Sequence, residues 1–339
     1  MKKNLFIVAA VALVAMVSCN KEEVNNGGVD TTPEPAVVVE FEAGFNADTK
    51  TALDAEGKKT LWEENDLISI NGQQFKIKEL LNDGANAVFV NVGNLPDDFA
   101  APFTAIYPYG SNGIPATQTA KANTFDPAAA IEKATSDNNT LVFENQSSLL
   151  KFQVPAACSS VSLTADENLA QDSKTVTISG NFAAGTDYYV AVLPGTKTNF
   201  NVKVNDRASK SASSVTINEK SIVNMGELPM KVRIYVTVWP HYNNWDNWKQ
   251  TPKIHYWGDY GETTWPGVNM ILENGSKYYY EFEYSATKKT QFLVNNGTGA
   301  EKSADSEKIT MNKDYSYEVW TDWVSQDGND YHHLVLHKN

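Results

Sequence analysis

The residues best placed to do chemistry lie in the last third of the chain, where Lys253-Ile254-His255-Tyr256-Trp257 alternates in the two-residue period of a β-strand. With Ile254 toward a core, His255 and Trp257 point outward. Two ring side chains two residues apart make a flat surface about 7 Å long, the scale of one sugar ring. Sugar C–H faces are apolar and their rims carry hydroxyls, so a flat ring flanked by polar donors suits them. Trp265-Pro266-Gly267 follows closely. The competing reading is that Trp257 and Trp265 are core residues and that Trp265 only anchors a turn.

Other constellations are weaker. His332, His333 and His337, with Asp327 and Asp330 before them, are the residue types of a metal site. On a strand His333 and His337 are too far apart for one ion, so no metal is expected. Asp327-Gly328-Asn329-Asp330 reads as a turn. Glycoside hydrolysis needs two carboxylates held about 5 to 9 Å apart in a cleft. Neither part of the chain has the length of a barrel enzyme, typically about 250 residues. No nucleophile elbow, phosphate loop or metalloprotease helix is present, so the chain is read as no enzyme, with no cofactor. Cys158 has no nearby His to activate it and reads as a buried structural thiol.

Composition narrows the partners. The chain has 339 residues, of which 42 % are hydrophobic and 20 % charged, as in a globular protein. Its net charge of −13 argues against nucleic acid, which calls for a basic surface, and against an anionic membrane face. A neutral ligand remains. The aromatic residues divide the chain: seven of eight Trp, all five His and 11 of 15 Tyr follow residue 229, whereas 12 of 14 Phe precede it.

The elements that must position the rings are strands. In Lys231-Val232-Arg233-Ile234-Tyr235-Val236-Thr237-Val238-Trp239 the aliphatic residues form one face, and Arg233, Tyr235, Thr237 and Trp239 the other. About seven short strands in residues 229–339 predict a compact β-sandwich. Residues 37–228 also read as β throughout, with apolar runs at 37–41, 67–70, 87–92, 141–143, 149–154, 175–178 and 188–193 separated by Asn, Asp, Gly and Pro clusters. One helical turn is expected at 128–132. Trp62 reads as packing, and Tyr107 and Tyr109 as pins of a turn around Pro108. The fold class is all-β: two sandwiches in tandem behind an N-terminal targeting segment and a flexible tether. That segment opens Met1-Lys2-Lys3 and has an apolar run at 5–17, about 20 Å as a helix and too short to cross a bilayer, so it reads as a signal peptide. Residues 20–36, rich in Gly, Pro, Asn and acid, read as a tether with a reach of about 25 Å.

Four resemblances add to this. Val17-Ser18-Cys19 resembles the lipobox of bacterial lipoproteins, and Lys21-Glu22-Glu23 resembles a surface-export signal of Bacteroidetes. They imply a signal peptide at 1–18, lipidation of Cys19, a tether at 19–36, and an outer-membrane location facing the exterior. Within 37–228, Thr49-Lys50-Thr51-Ala52-Leu53, Trp62, Asp66-Leu67-Ile68-Ser69-Ile70, Ala105-Ile106-Tyr107-Pro108, Leu149-Leu150-Lys151-Phe152, Tyr188-Tyr189-Val190-Ala191-Val192-Leu193-Pro194-Gly195 and Val223-Asn224-Met225-Gly226 resemble fimbrillin-like lipoproteins in order. This implies a pilin-type sandwich acting as a stalk or spacer.

Residues 234–319 are similar to starch-binding modules of carbohydrate-binding family 26, through Ile254-x-Tyr256-Trp257, Trp265-Pro266-Gly267-Val268, Met270 and the Phe292…Asn295-Asn296-Gly297 loop. The resemblance implies a site for starch or maltooligosaccharide built from His255, Trp257 and Trp265, with Asn296 in the loop. Family members often carry Gln after the Asn-Gly loop. This chain has Ala300-Glu301-Lys302-Ser303, where Lys302 or Glu301 would complete the site. The expected function is a surface lipoprotein that captures α-glucan beside a glycan importer or amylase. The alternative is a fimbria-associated adhesin or minor pilus subunit recognising another glycan or a protein.

Overall fold

The computed structural model describes residues 38–45, 61–239, 250–326 and 329–336, with side chains through Val319. The signal peptide, Cys19, the tether and His337 lie outside them, as do the side chains of His332 and His333. The described residues are strands and turns, so the all-β class holds. They surround three hydrophobic cores.

The first core is closed by strands β1 (Glu40–Phe45), β2 (Leu67–Ile70), β3 (Gln73–Leu81), β4 (Asn86–Asn91) and β5 (Phe103–Tyr107). Strands β7 (Glu132–Ser136) and β8 (Thr140–Asn145) complete it, while β6 (Thr117–Thr119) belongs to the next sheet. The result is a barrel of order β1-β4-β3-β2-β5-β7-β8. β1 is held on both sides, antiparallel by β4 and parallel by β8. Alternation puts Phe41, Phe75, Phe89 and Phe143 inside, packed edge-to-face around Phe41 and Trp62. Trp62 is buried and its indole N–H donates to the Ala43 carbonyl at 3.2 Å, which confirms it as a packing residue. Tyr107 donates to Asp66 at 3.0 Å; burial, then the neighbouring Asp66 carboxylate, pushes its phenol far up.

The helical turn expected at 128–132 forms earlier and shorter, as a 3₁₀ turn at Pro127–Ala129. The Asp126 carboxylate accepts from Ala128 N and Pro127 fixes the first φ, while Glu132 already pairs with Asn145 in β7.

The second core lies between two sheets formed by β9 (Ser148–Gln153), β10 (Cys158–Thr164), β11 (Thr175–Phe182), β12 (Tyr188–Val192), β13 (Gly195–Val204), β14 (Arg207–Ile217) and β15 (Ile222–Glu227). Their orders are β14-β13-β10-β11-β6 and β12-β9-β15. The free edge of β12 is plugged by a side chain. Gln118 on β6, 2 % exposed, donates to Ala191 O at 2.7 Å and accepts from Ala191 N at 3.0 Å, as a neighbouring strand would. Cys158 is buried in this core, and burial pushes its thiol up to about 11.

The third core is enclosed by β16 (Lys231–Trp239), β17 (Lys253–Gly258), β18 (Val268–Asn269), β19 (Ile271–Asn274), β20 (Lys277–Glu283), β21 (Lys289–Asn295), β22 (Ile309–Thr310), β23 (Tyr315–Gln326) and β24 (Asn329–Leu336). One sheet runs β19-β20-β16-β23-β24, the other β18-β17-β21-β22. Val232, Ile234, Val236 and Val238 enter the core, as their alternation demands. The outer face is lined by cation–aromatic pairs, with Arg233 over Tyr279 at 4.0 Å and Lys277 over Tyr235 at 4.2 Å.

The second and third cores share Tyr284 and meet at an ionic joint. Arg207, first residue of β14, reaches across with both terminal nitrogens to Asp314, at 2.7 and 2.6 Å, and donates to Lys231 O at 3.0 Å. Asp314 also accepts from Arg233 N at 2.8 Å.

Candidate functional site

Strand β17 carries the site because its two faces differ. Ile254 is fully buried and Tyr256 packs on the third core, edge-on to Phe282 at 4.9 Å. His255 and Trp257 therefore lie on the opposite face, paired with Leu293 and Gln291 of β21. Their ring centroids are 5.6 Å apart and tilted by 38°. Trp265 joins them from the following loop, edge-on to His255 at 5.4 Å. The sequence spacing predicts a flat two-ring surface. The structure instead gives a three-ring cluster with His255 wedged between the two indoles.

The loop that delivers Trp265 is tightly held. The Trp265–Pro266 peptide is cis, and Pro266 O accepts from the Asn295 side chain at 2.6 Å. Gly267 follows at φ +103, where a Cβ would fall 2.2 Å from Ile254 O, so no other residue fits. Thr263 is pinned to β17 twice: its N donates to Tyr256 O at 3.0 Å, and its hydroxyl accepts from Tyr256 N at 3.2 Å. Trp265 remains 46 % exposed although its backbone is anchored, which is a costly way to expose an indole unless something covers it.

The loop after β21 closes the other side. Asn295 pairs with Lys302 in an isolated bridge, and the Lys302 ammonium lies 5.5 Å from the Trp265 ring centre. Gly299, at φ +83, lets the backbone approach the indole so closely that a Cβ there would sit 2.9 Å from three ring atoms. Asn296 is turned into its own loop. Its side-chain oxygen accepts from Thr298 N and Oγ1 at 3.2 and 2.7 Å, and its N donates to Glu301 O at 3.0 Å.

The structure thus brings His255, Trp257, Trp265 and Lys302 together and uses Asn296 to build the neighbouring loop. Three residues are added that sequence reasoning missed. Thr263 Oγ1 is 2.9 Å from His255 Nδ1, Glu262 Oε1 is 3.9 Å from His255 Nε2, and Gly299 seats Trp265. The repeated glycines in Gly297-Thr298-Gly299 are the one sequence signal that could have pointed to the last. Among the described residues no cluster of metal-ligating side chains occurs.

No protein-family model matches this chain, and no curated protein sequence matches it. Among solved structures it is similar to a candidate cell adhesion protein of Bacteroides ovatus, at 12 % identity and a TM-score of 0.33, over 57 % of this chain and 93 % of that one. It is also similar to a family 26 carbohydrate-binding module from Eubacterium rectale Amy13K in complex with maltoheptaose, at 9 % identity and a TM-score of 0.23, over 56 % of this chain and 97 % of the module. A fimbrial protein of Bacteroides ovatus is similar at 13 % identity and a TM-score of 0.28, over 56 % of this chain and 49 % of that one. The case for a ligand rests on the site's own residues.

Proposed function

We propose that this chain is a non-catalytic glycan-binding protein whose last module captures starch-type α-glucan at Trp257 and Trp265. One observation carries the reading: an indole with an anchored backbone, Trp265, is 46 % exposed and shares the His255 ring as neighbour with a second indole, Trp257, on the outer face of β17, with Lys302 beside Trp265 and Glu262 beside His255. An apolar sugar face can lie on such rings while its hydroxyls meet the polar groups around them. Two ring contacts covering about 80 Å² each, at about 25 cal/mol/Å², give about 4 kcal/mol, or a dissociation constant near 1 mM before hydrogen bonds. Binding of this strength becomes useful through many copies on one surface.

The rest of the proposal follows the N-terminal sequence. A lipid on Cys19 would hold the protein in the outer membrane, facing the exterior, with the 19–36 tether and the fimbrillin-like region at 37–228 as spacer. A neighbouring importer or amylase would use the captured glucan.

The test is affinity gel electrophoresis of the full mature chain with and without amylopectin, alongside Trp257→Ala and Trp265→Ala. Retardation that is lost in both variants, with far-ultraviolet circular dichroism and cooperative unfolding retained, supports an α-glucan site at these rings. A folded parent chain that is not retarded sinks it and shifts the weight to a fimbria-associated adhesin with another glycan or a protein as ligand.

A further inference from the structure

His255 stands where a stacking ring would be expected, yet its surroundings give it a different task. Its side chain is only 13 % exposed, with Trp257 against it on one side and Trp265 edge-on at 5.4 Å. Little ring face remains for a sugar; what remains is an edge. Nδ1 lies 2.9 Å from Thr263 Oγ1, and turning the ring over would put a carbon there, so this bond fixes the ring's orientation.

The Thr263 hydroxyl has one proton to give and two lone pairs. It already accepts from Tyr256 N at 3.2 Å. Giving its proton to Nδ1 satisfies both atoms and places the imidazole proton on Nε2. The other tautomer would aim two N–H donors at one oxygen and turn the hydroxyl proton to solvent. Nε2 is 3.9 Å from Glu262 Oε1, beyond hydrogen-bond reach, and the Glu262 side chain is 71 % exposed. A hydroxyl oxygen seated between them can accept from Nε2–H and donate to the carboxylate at ordinary distances.

We propose that His255 and Glu262 together recognise one hydroxyl of a neutral sugar, His255 donating through Nε2–H and Glu262 accepting, with Thr263 as the positioning residue that sets the histidine tautomer. This rests on the glucan reading of the site. The Glu262 carboxylate disfavours an anionic sugar at this position. Lys253 lies two residues earlier on the same strand, Lys302 stands above Trp265, and β21 presents Leu293 and Gln291.

The test uses the full mature chain and maltoheptaose in titration calorimetry, with His255→Phe, His255→Gln and Glu262→Ala. His255→Phe keeps a ring wedge and removes the donor, and is expected to weaken binding about 5- to 20-fold. His255→Gln, whose amide nitrogen reaches the Nε2 position, should stay within about threefold of the parent. Glu262→Ala should weaken binding by a factor similar to that of His255→Phe, and the double variant should lose little more than either, because one hydroxyl is shared. Long-range ¹H–¹⁵N spectra of the His255 ring at pH 8 should show the proton on Nε2, and Thr263→Val should give a tautomer mixture. His255→Phe binding as tightly as the parent, or a parent proton on Nδ1, overturns the proposal and leaves the glucan reading standing. A parent chain that binds no maltoheptaose overturns both.

Discussion

The joint between the second and third cores is the sharpest place to test the energetics. Arg207 donates twice to Asp314 and once to Lys231 O, and its side chain is only 17 % exposed, whereas that of Asp314 is 37 % exposed. Hydrogen bonds to charged groups contribute about 1.5–3 kcal/mol, and exposed ion pairs about 0–1. For a two-pronged pair half out of water, the expected coupling is about 1.5–2 kcal/mol. Arg207→Ala should cost about 2–3 kcal/mol, since the Lys231 carbonyl loses a donor as well. Asp314→Ala should cost about the same, because Arg207 and the Arg233 N–H both lose their acceptor. The double variant should cost about 1.5–2 kcal/mol less than the sum.

Urea unfolding followed by Trp fluorescence suits this cycle, since urea does not screen the ion pair and seven of the eight Trp follow residue 229 and report on the last module. A pH series adds a sign check. Burial raises the Asp314 carboxyl, but the hydrogen bonds and charges of Arg207 and Arg233 outweigh it and hold the pKa below the usual carboxylate range. Such a group contributes its stability above the unfolded value of about 3.9 and loses it as pH falls through the folded value. The acid-side loss should therefore shrink in Arg207→Ala. Additive single costs, with coupling below about 0.5 kcal/mol, would refute the view that this ion pair ties the two cores together.

Three shorter predictions follow from packing. Gly299→Ala should weaken amylopectin retardation several-fold with less than about 2 kcal/mol lost in stability, because its Cβ pushes on the Trp265 ring and φ +83 strains any other residue. Parent-like retardation would show that the ring's seat is soft. Gln118→Ala should cost about 2–4 kcal/mol in chemical unfolding, as it orphans the buried N–H and C=O of Ala191 and opens a cavity; a loss below 1 kcal/mol would show that water takes over the amide's place. In a Cys19→Ser variant, Cys158 should react with a disulfide reagent at pH 8 at least 100-fold faster unfolded than folded, given burial and a thiol pushed up to about 11. Equal rates would contradict its burial.

How far the sequence was legible depended on where each signal came from. β16 and β17 announced themselves because one face of each meets a core and the other meets solvent, which writes period two into the residues. β14, Arg-Ala-Ser-Lys-Ser-Ala-Ser-Ser-Val-Thr-Ile, shows no such alternation: most of it is exposed, and its partner β13 supplies what burial there is. Barrel closure was also hidden, since β1 and β8 meet in parallel across about a hundred residues and nothing local in either strand specifies that pairing. At the site, His255 and Trp257 were found from ring spacing and Trp265 from the family resemblance. Thr263 and Glu262 were not, because their roles come from the turn that folds residues 259–263 back onto Tyr256, held by one backbone bond and by the Thr263 hydroxyl, and no local pattern in the sequence specifies that return. The wedged attitude of His255 was illegible for a related reason. Period two says which side of a strand a ring leaves from, and the loop carrying Trp265 decides how much of it stays open.

The double pairing of β1 has a mechanical consequence. If the chain is held by its N-terminal end while its last module grips a large polymer, tension enters the folded part through Glu40 and runs along β1. The hydrogen bonds to β4 lie across that direction and those to β8 run aslant of it, so drawing β1 out loads both ladders in shear, many bonds at once. A hairpin at the end of a sheet would instead open like a zip, one bond after another. A protein tugged by drifting particles would thus meet the pull first with two ladders loaded in parallel.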